Sequence, residues 1–127
     1  IKNTKDERII FPGYVYGDDT NILMKNAYAY VQPSLIEGLS PVILTVMGLG
    51  TPLICSDIIE NKFICGKNAV TFISGDSNHL IQQLQYALNN HTDLLQKAKA
   101  GAVDIKNRFN WDLITDQYIE LLQKQKR

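Results

Sequence analysis

Apolar residues along this chain come in short runs separated by turn-forming residues, and the spacing inside the runs changes from one half to the other. In the first half the runs are brief. Ala27-Tyr28-Ala29-Tyr30-Val31-Gln32 and Leu53-Ile54-Cys55 are largely apolar without strict alternation, the pattern of strands covered on both faces. In the second half the apolar positions recur at helical spacing: Leu80 and Leu84; Leu94, Ala98 and Ala102; then Trp111, Ile114, Tyr118, Leu121 and Leu122. These stripes are expected to be core. The patterning predicts strands near 8–11, 27–32, 52–55 and 70–73, and helices near 20–25, 41–48, 77–89, 92–107 and 111–123. Such alternation predicts an α/β fold, a Rossmann-like parallel sheet with helices on both faces. No internal repeat or low-complexity segment interrupts it. The polar stretch 1–7 is expected to be poorly ordered.

One loop, Pro33-Ser34-Leu35-Ile36-Glu37-Gly38-Leu39-Ser40-Pro41, joins a predicted strand to a predicted helix. Ser40 is a good N-cap, and Pro41 suits the first helical position because its missing N–H is not needed there. The amides of Leu39, Ser40 and the first turn are then free to bind an anion, phosphate above all. A carboxylate just before that end, Glu37, fits beside a phosphate site when it accepts hydrogen bonds from hydroxyl groups. A sugar carried on a phosphate meets both demands. Ser34 reads as a turn-former whose hydroxyl bonds local backbone. In open α/β sheets ligands bind outside the carboxyl ends of the strands, which groups the loops 13–16, 33–40 and 56–61 around one crevice.

Composition narrows the function classes. The chain has 127 residues, enough for one ordinary domain, and is 45% hydrophobic with 13 basic and 13 acidic side chains. A net charge of zero provides no long-range field to draw a polyanion, so nucleic-acid binding is not indicated. The basic cluster Lys124-Gln125-Lys126-Arg127 reads as a solvated end. No apolar run approaches the ~20 residues of a membrane-spanning helix, and no charged-then-apolar leader opens the chain. A cytoplasmic location, peripheral to the inner face of a membrane at most, is expected. Cys55 and Cys65 are too few and too far apart for a zinc motif and read as reduced, buried thiols. His79 and His91 lack neighbours at ligand spacing and read as surface histidines, so no metal site is expected. Asn90-His91-Thr92 reads as a helix boundary with Thr92 as N-cap.

Several ordered motifs carry a family resemblance: Phe-x-Gly at Phe11 and Gly13, Pro-Ser-x-x-Glu-Gly from Pro33 to Gly38, Met-x-x-Gly at Met47 and Gly50, Thr-Pro-Leu-Ile from Thr51, Ser56-Asp57, and Arg108-Phe109-Asn110-Trp111 followed by Tyr118. Together they resemble the C-terminal, donor-binding domain of the retaining family-4 (group 1) glycosyltransferases of GT-B fold, over residues 9 to 122. The resemblance implies one truncated nucleotide-sugar-binding domain over 1–127, too short for a whole two-domain enzyme. It implies transfer of a sugar from a nucleotide diphosphate sugar to a glycan or lipid-linked acceptor, with retention of configuration, in capsule or lipopolysaccharide synthesis. The donor is a substrate, no cofactor or metal is needed, and the acceptor is held mainly by a missing N-terminal domain. By this resemblance Glu37 is the catalytic-site carboxylate that contacts the donor sugar. Gly38, Leu39, Ser40 and Pro41 hold sugar and diphosphate, while Gly13, Tyr14 and Val15 lie beside the nucleotide; for Tyr14 and Tyr16, plain packing is equally compatible with the sequence.

Two departures set limits on that reading. The family's second Glu, which binds ribose hydroxyls, falls at Thr45, so a charge-assisted contact worth about 1.5–3 kcal/mol is replaced by a hydroxyl. After Ser56-Asp57 the family's small glycines and Glu give way to Ile59, Glu60 and Phe63. An active divergent enzyme and a non-catalytic nucleotide-sugar-binding module both accommodate these changes. An unrelated α/β domain would have to match all the motifs in order by coincidence.

Overall fold

The computed structural model describes residues 5–124. Nine elements follow one another: α1 (Asp18–Asn26), β1 (Tyr30–Gln32), α2 (Pro41–Gly48), β2 (Leu53–Ser56), α3 (Ile59–Cys65), β3 (Val70–Phe72), α4 (Ser77–Asn89), α5 (His91–Arg108) and α6 (Trp111–Lys124). The three strands form a parallel sheet in the order β1-β2-β3, with Gln32 opposite Cys55 and Ser56 opposite Phe72. Parallel pairing needs crossovers, and α2 and α3 supply them. The α/β fold expected from the patterning is the one observed.

Period-2 geometry splits the core between the two faces of the sheet. Leu53 and Cys55 pack with Ile43, Val46 and Met47 of α2, Ile64 and Cys65 of α3 and Ile105 of α5. Ile54 packs on the opposite face with Val70, Phe72, Ala87 of α4 and Leu94 of α5. Each full burial of such a side chain contributes about 1.5–3 kcal/mol. Helix α5 comes close to α2 at Gly101, where an added Cβ would stand 2.9 Å from Met47 Cε and 3.3 Å from Asn68 Cβ.

Local chemistry explains most of the ends. Pro41 opens α2, with extended Ser40 before it whose carbonyl accepts the Leu44 amide at 3.3 Å. Ser40 is nearly fully buried, but its hydroxyl makes no capping bond. The turn after α2 closes on Gly50 at φ 71°, a left-handed value that glycine adopts freely. The Asp76 carboxylate accepts the His79 amide at 2.9 Å and starts α4. Thr51, the residue after Gly50, donates its hydroxyl to the Met24 carbonyl at 3.0 Å, tying the end of α1 to the entrance of β2.

Four expectations need correction. Residues 8–11 form no strand: Ile9, Ile10 and Phe11 are exposed beyond a turn in which Arg8 is bonded to Asp6. An unforeseen helix, α3, follows β2, so the segment 56–61 is mostly strand end and helix start. The boundary before α5 falls on Asn90, which leaves Thr92 inside the helix. The stripes are not all core: on α6 Trp111 is 82% exposed and Tyr118, Leu121 and Leu122 are also open, and on α4 Leu84 is exposed while Ala87 is the residue buried. Of the stretch 1–7, residues 1–4 lie outside the described residues, as do 125–127 of the basic end.

Candidate functional site

The carboxyl end of β1 delivers the loop 33–40 and, immediately after it, the start of α2. Gln32, the last residue of the strand, is fixed by pairing with Cys55. Its Nε2 donates to Glu37 Oε1 at 3.0 Å and to Ser34 Oγ at 2.8 Å, and Ser34 Oγ donates onward to the same Glu37 Oε1 at 2.6 Å. Glu37 Oε2 has no partner among the described residues. Glu37 is half-buried, with one carboxylate oxygen anchored by two donors and the other left to accept from a ligand. Ser34 thus bonds side chains instead of the local backbone expected of a turn-former. Burial and the Glu37 charge together push the Tyr30 phenol up, and its hydroxyl donates to Gln32 Oε1 at 3.2 Å.

A second tier holds the loop from behind. The Ser34 carbonyl accepts Ser56 Oγ at 2.6 Å and Ser74 Oγ at 3.3 Å. Ser56 is fully buried, and Asn61 Nδ2 donates both to its carbonyl and to its hydroxyl at 3.0 Å. The carbonyl acceptor fixes the Asn61 amide, leaving Asn61 Oδ1 buried without a partner among the described residues. Asp57 receives the Ser74 amide at 2.9 Å and Lys62 Nζ at 3.2 Å, and these contacts hold its carboxyl below the ordinary value. The ends of all three strands are therefore bonded to one another around residue 34.

Beyond Glu37 the helix start is open. The α2 amides of Val42 and Ile43 have no acceptor among the described residues, and Leu39 and Ser40 lie just before Pro41, which opens the helix. Unpaired amides at a helix N-terminus carry partial positive charge suited to an anion. Beside this start lies a cleft of about 340 Å³, walled by Val15, Tyr16 and Gly17, by Thr20, Asn21 and Met24 of α1, and by Pro41, Val42 and Thr45 of α2. Thr20 Oγ1 donates to the Val15 carbonyl at 3.0 Å and pins the incoming loop. Thr45 is exposed and donates its hydroxyl to the Pro41 carbonyl at 3.0 Å, which leaves its oxygen only as an acceptor for a ligand.

The structure thus brings Val15, Pro41 and Thr45 into one cleft, with Gly38, Leu39 and Ser40 on the path from Glu37 to it. Gly13 and Tyr14 do not line that cleft; Tyr14 is 89% exposed, and its ring stacks against that of Tyr16 at 6.0 Å. Sequence reasoning passed over Gln32, Thr20 and Asn21. A polar side chain ending an otherwise apolar strand was the available signal for Gln32.

The other singled-out side chains serve packing. Cys55 and Cys65 are free and buried with sulfurs 4.0 Å apart. Contact with Cys65 and burial push the Cys55 thiol up. His79 Nδ1 accepts the Ile73 amide at 2.9 Å and its side chain is half-buried, whereas His91 is exposed, as expected, with its ring stacked on that of Tyr28. Among the described residues no three His, Cys, Asp or Glu side chains gather as a metal site would need, and no helix is long and apolar enough to cross a membrane.

Comparison with known proteins adds the family. Residues 1–90 match the family described as glycosyl transferases group 1. The chain is 28% identical over 122 residues to O-antigen chain mannosyltransferase B of Escherichia coli, covering 93% of this chain and 31% of that protein. Sucrose-phosphate synthase of Thermosynechococcus elongatus superposes with a TM-score of 0.83 at 24% identity, over 94% of this chain and 31% of that one. The chain spans 31% of the length of each of these relatives. Its α/β sheet is that of the C-terminal domain of a GT-B glycosyltransferase, and with most of its length inside the family match the chain belongs to the group 1 glycosyl transferases.

Proposed function

We propose that this chain is the donor-binding segment of a retaining glycosyltransferase that moves a sugar from a nucleotide diphosphate sugar to a glycan or lipid-linked acceptor in polysaccharide synthesis. The observation that carries this reading is the single open oxygen of Glu37 held four residues before Pro41, the uncapped start of α2. A carboxylate oxygen accepts from sugar hydroxyls, and free helix amides stabilise a departing diphosphate without a metal. The cleft beyond α2 gives the nucleoside a place, with Thr45 oxygen as acceptor for a ribose hydroxyl and Val15 and Tyr16 against the base. Similarity to an O-antigen chain mannosyltransferase supports a polysaccharide product. The acceptor is bound by parts of the enzyme outside this chain, which works at the cytoplasmic side of the membrane.

The test is a thermal-shift and NMR titration with UDP, GDP and their sugar conjugates. A ligand at about 100 times its dissociation constant adds ~2.7 kcal/mol of stability. The expected result is stabilisation by one nucleotide, with shifts at Val15, Glu37, Leu39, Ser40 and Thr45. Shifts confined to other surfaces, or no binding in the whole protein, refute the reading. A second reading, a nucleotide-sugar-binding module without turnover, draws on Thr45, whose hydroxyl proton is committed to Pro41. Binding by the whole protein without sugar transfer to any glycan acceptor would establish it.

A further inference from the structure

We infer that Gln32 is a positioning residue that presents Glu37 to the donor sugar and thereby sets the preference for a sugar conjugate over a free nucleoside diphosphate; this rests on Glu37 being the sugar contact. The direction of every hydrogen bond in the network carries the inference. Tyr30 donates to Gln32 Oε1 at 3.2 Å, Gln32 Nε2 donates to Ser34 and Glu37, and Ser34 donates to Glu37. Each proton points along the chain toward one oxygen, Glu37 Oε1. A reversed Gln32 amide would set two oxygens against each other at Glu37 and lose the Tyr30 proton, so the amide has one orientation.

The consequence is an asymmetric carboxylate. Oε1 is saturated by two donors, and the ionised group is kept as an acceptor whose remaining lone pairs lie on Oε2. Donors aligned in series polarise one another, which strengthens the last bond in the chain. Gln32 is suited to this because it sits on a strand and not in the loop: its backbone is held opposite Cys55, itself fully buried. Ser34 is the only other donor to Glu37 among the described residues, and it takes its own orientation from Gln32. Removing Gln32 therefore leaves Glu37 held by Ser34 alone, with that hydroxyl no longer oriented by Gln32, while the α2 amides and the cleft are untouched.

The experiment compares Gln32→Met, Gln32→Glu and Glu37→Ala with the wild type in the whole protein. Affinities are measured by calorimetry for UDP, GDP and ADP and for UDP-glucose, GDP-mannose and ADP-glucose. Gln32→Met, similar in length but without donor or acceptor, is expected to weaken the sugar conjugate about tenfold, a loss typical of an orienting partner, with the free diphosphate unchanged. Gln32→Glu keeps the acceptor for Tyr30 but cannot donate, and it should lose at least as much. An unchanged ratio in both Gln32 variants, with the ratio lost in Glu37→Ala, overturns the inference and leaves the Glu37 reading standing. Equal weakening of conjugate and free diphosphate also overturns it, since that is the mark of a general structural role. A ratio unaffected by Glu37→Ala, or a wild type with no preference for any conjugate, overturns the Glu37 reading itself.

Discussion

Replacing Ser56 by alanine tests the scaffold behind the loop, because the Ser34 carbonyl is held by two hydroxyls of unequal quality. Ser56 is fully buried and donates at 2.6 Å, whereas Ser74 is partly buried and donates at 3.3 Å. Losing the first removes the short bond to the Ser34 carbonyl and the Asn61 Nδ2 bond to the Ser56 hydroxyl, while Asn61 Nδ2 retains the Ser56 carbonyl at 3.0 Å, so its own donor stays satisfied. The expected cost is about 1.5 kcal/mol, from a net hydrogen bond of about 1 kcal/mol and partial desatisfaction of the carbonyl. Ser74→Ala alone should cost about 0.5 kcal/mol, because its bond is long and water can replace it. The double variant leaves the carbonyl with neither hydroxyl, so its cost should exceed the sum of the singles by about 1 kcal/mol, within the usual penalty for an unsatisfied group. Urea unfolding of the wild type and three variants at one temperature closes the cycle. In thermal melts, Ser56→Ala should fall by about 6 °C, given roughly 4 °C per kcal/mol for a chain of this length. Additivity within about 0.3 kcal/mol would refute the reasoning, since it would mean that water reaches the carbonyl and that the strand ends are not jointly held.

Restoring a carboxylate by Thr45→Glu should tighten nucleoside diphosphate binding about tenfold by adding a charge-assisted contact to the ribose, checked by calorimetry; weaker binding would remove Thr45 from the site. Gly101→Val should destabilise by about 2 kcal/mol in urea, because the added atoms meet Met47 and Asn68 at the crossing of α2 and α5. Neither Cys55 nor Cys65 should react with a thiol reagent in the native chain, and both should react once it is unfolded, since both are fully buried. The Asp57 carboxyl is held below its ordinary 3.8, first by the Ser74 amide and then by Lys62. A depressed folded value means stability that is complete above the unfolded value and is lost as pH falls through the folded one. Asp57→Asn should therefore flatten the decline in stability on acidification below about pH 4, and an identical acid profile in wild type and variant would count against it.

Helices with local punctuation were legible in the sequence. For α2, Ser40-Pro41 at one end and Gly50 beyond the other mark the bounds 41–48, and the Leu80 and Leu84 spacing locates α4, whose cap by Asp76 only the structure shows. Helix α3 was invisible for a physical reason: its N-cap residue, Ile58, offers no capping side chain, and its last carbonyls are satisfied by a distant residue. Arg108 donates to the Phe63 carbonyl at 2.7 Å and to the Ile64 carbonyl at 3.2 Å, with its guanidinium over the rings of Phe63 and Phe109. No window along the chain contains that interaction. The apolar residues 9–11 and the α6 stripe misled in the opposite way, because hydrophobic patterning records that a surface needs cover without recording what covers it. At the site, the motif singled out Glu37, but its carboxylate is held jointly by Ser34 within the motif and by Gln32, a strand residue outside it.

The bond from Thr51 to the Met24 carbonyl gives the cleft a mechanical asymmetry. It clasps α1 at Met24, which packs against the buried cluster beneath α2, while the rim opposite is formed by Tyr16, 74% exposed. The pocket has a base tied to the core and an exposed lip made by three loop residues, 15–17, which are tied to α1 by the Thr20 bond to the Val15 carbonyl. Substitutions of the exposed Tyr16 can therefore reshape the lip without a compensating change in the core, so the mouth of the cleft is free to vary while the architecture stays still.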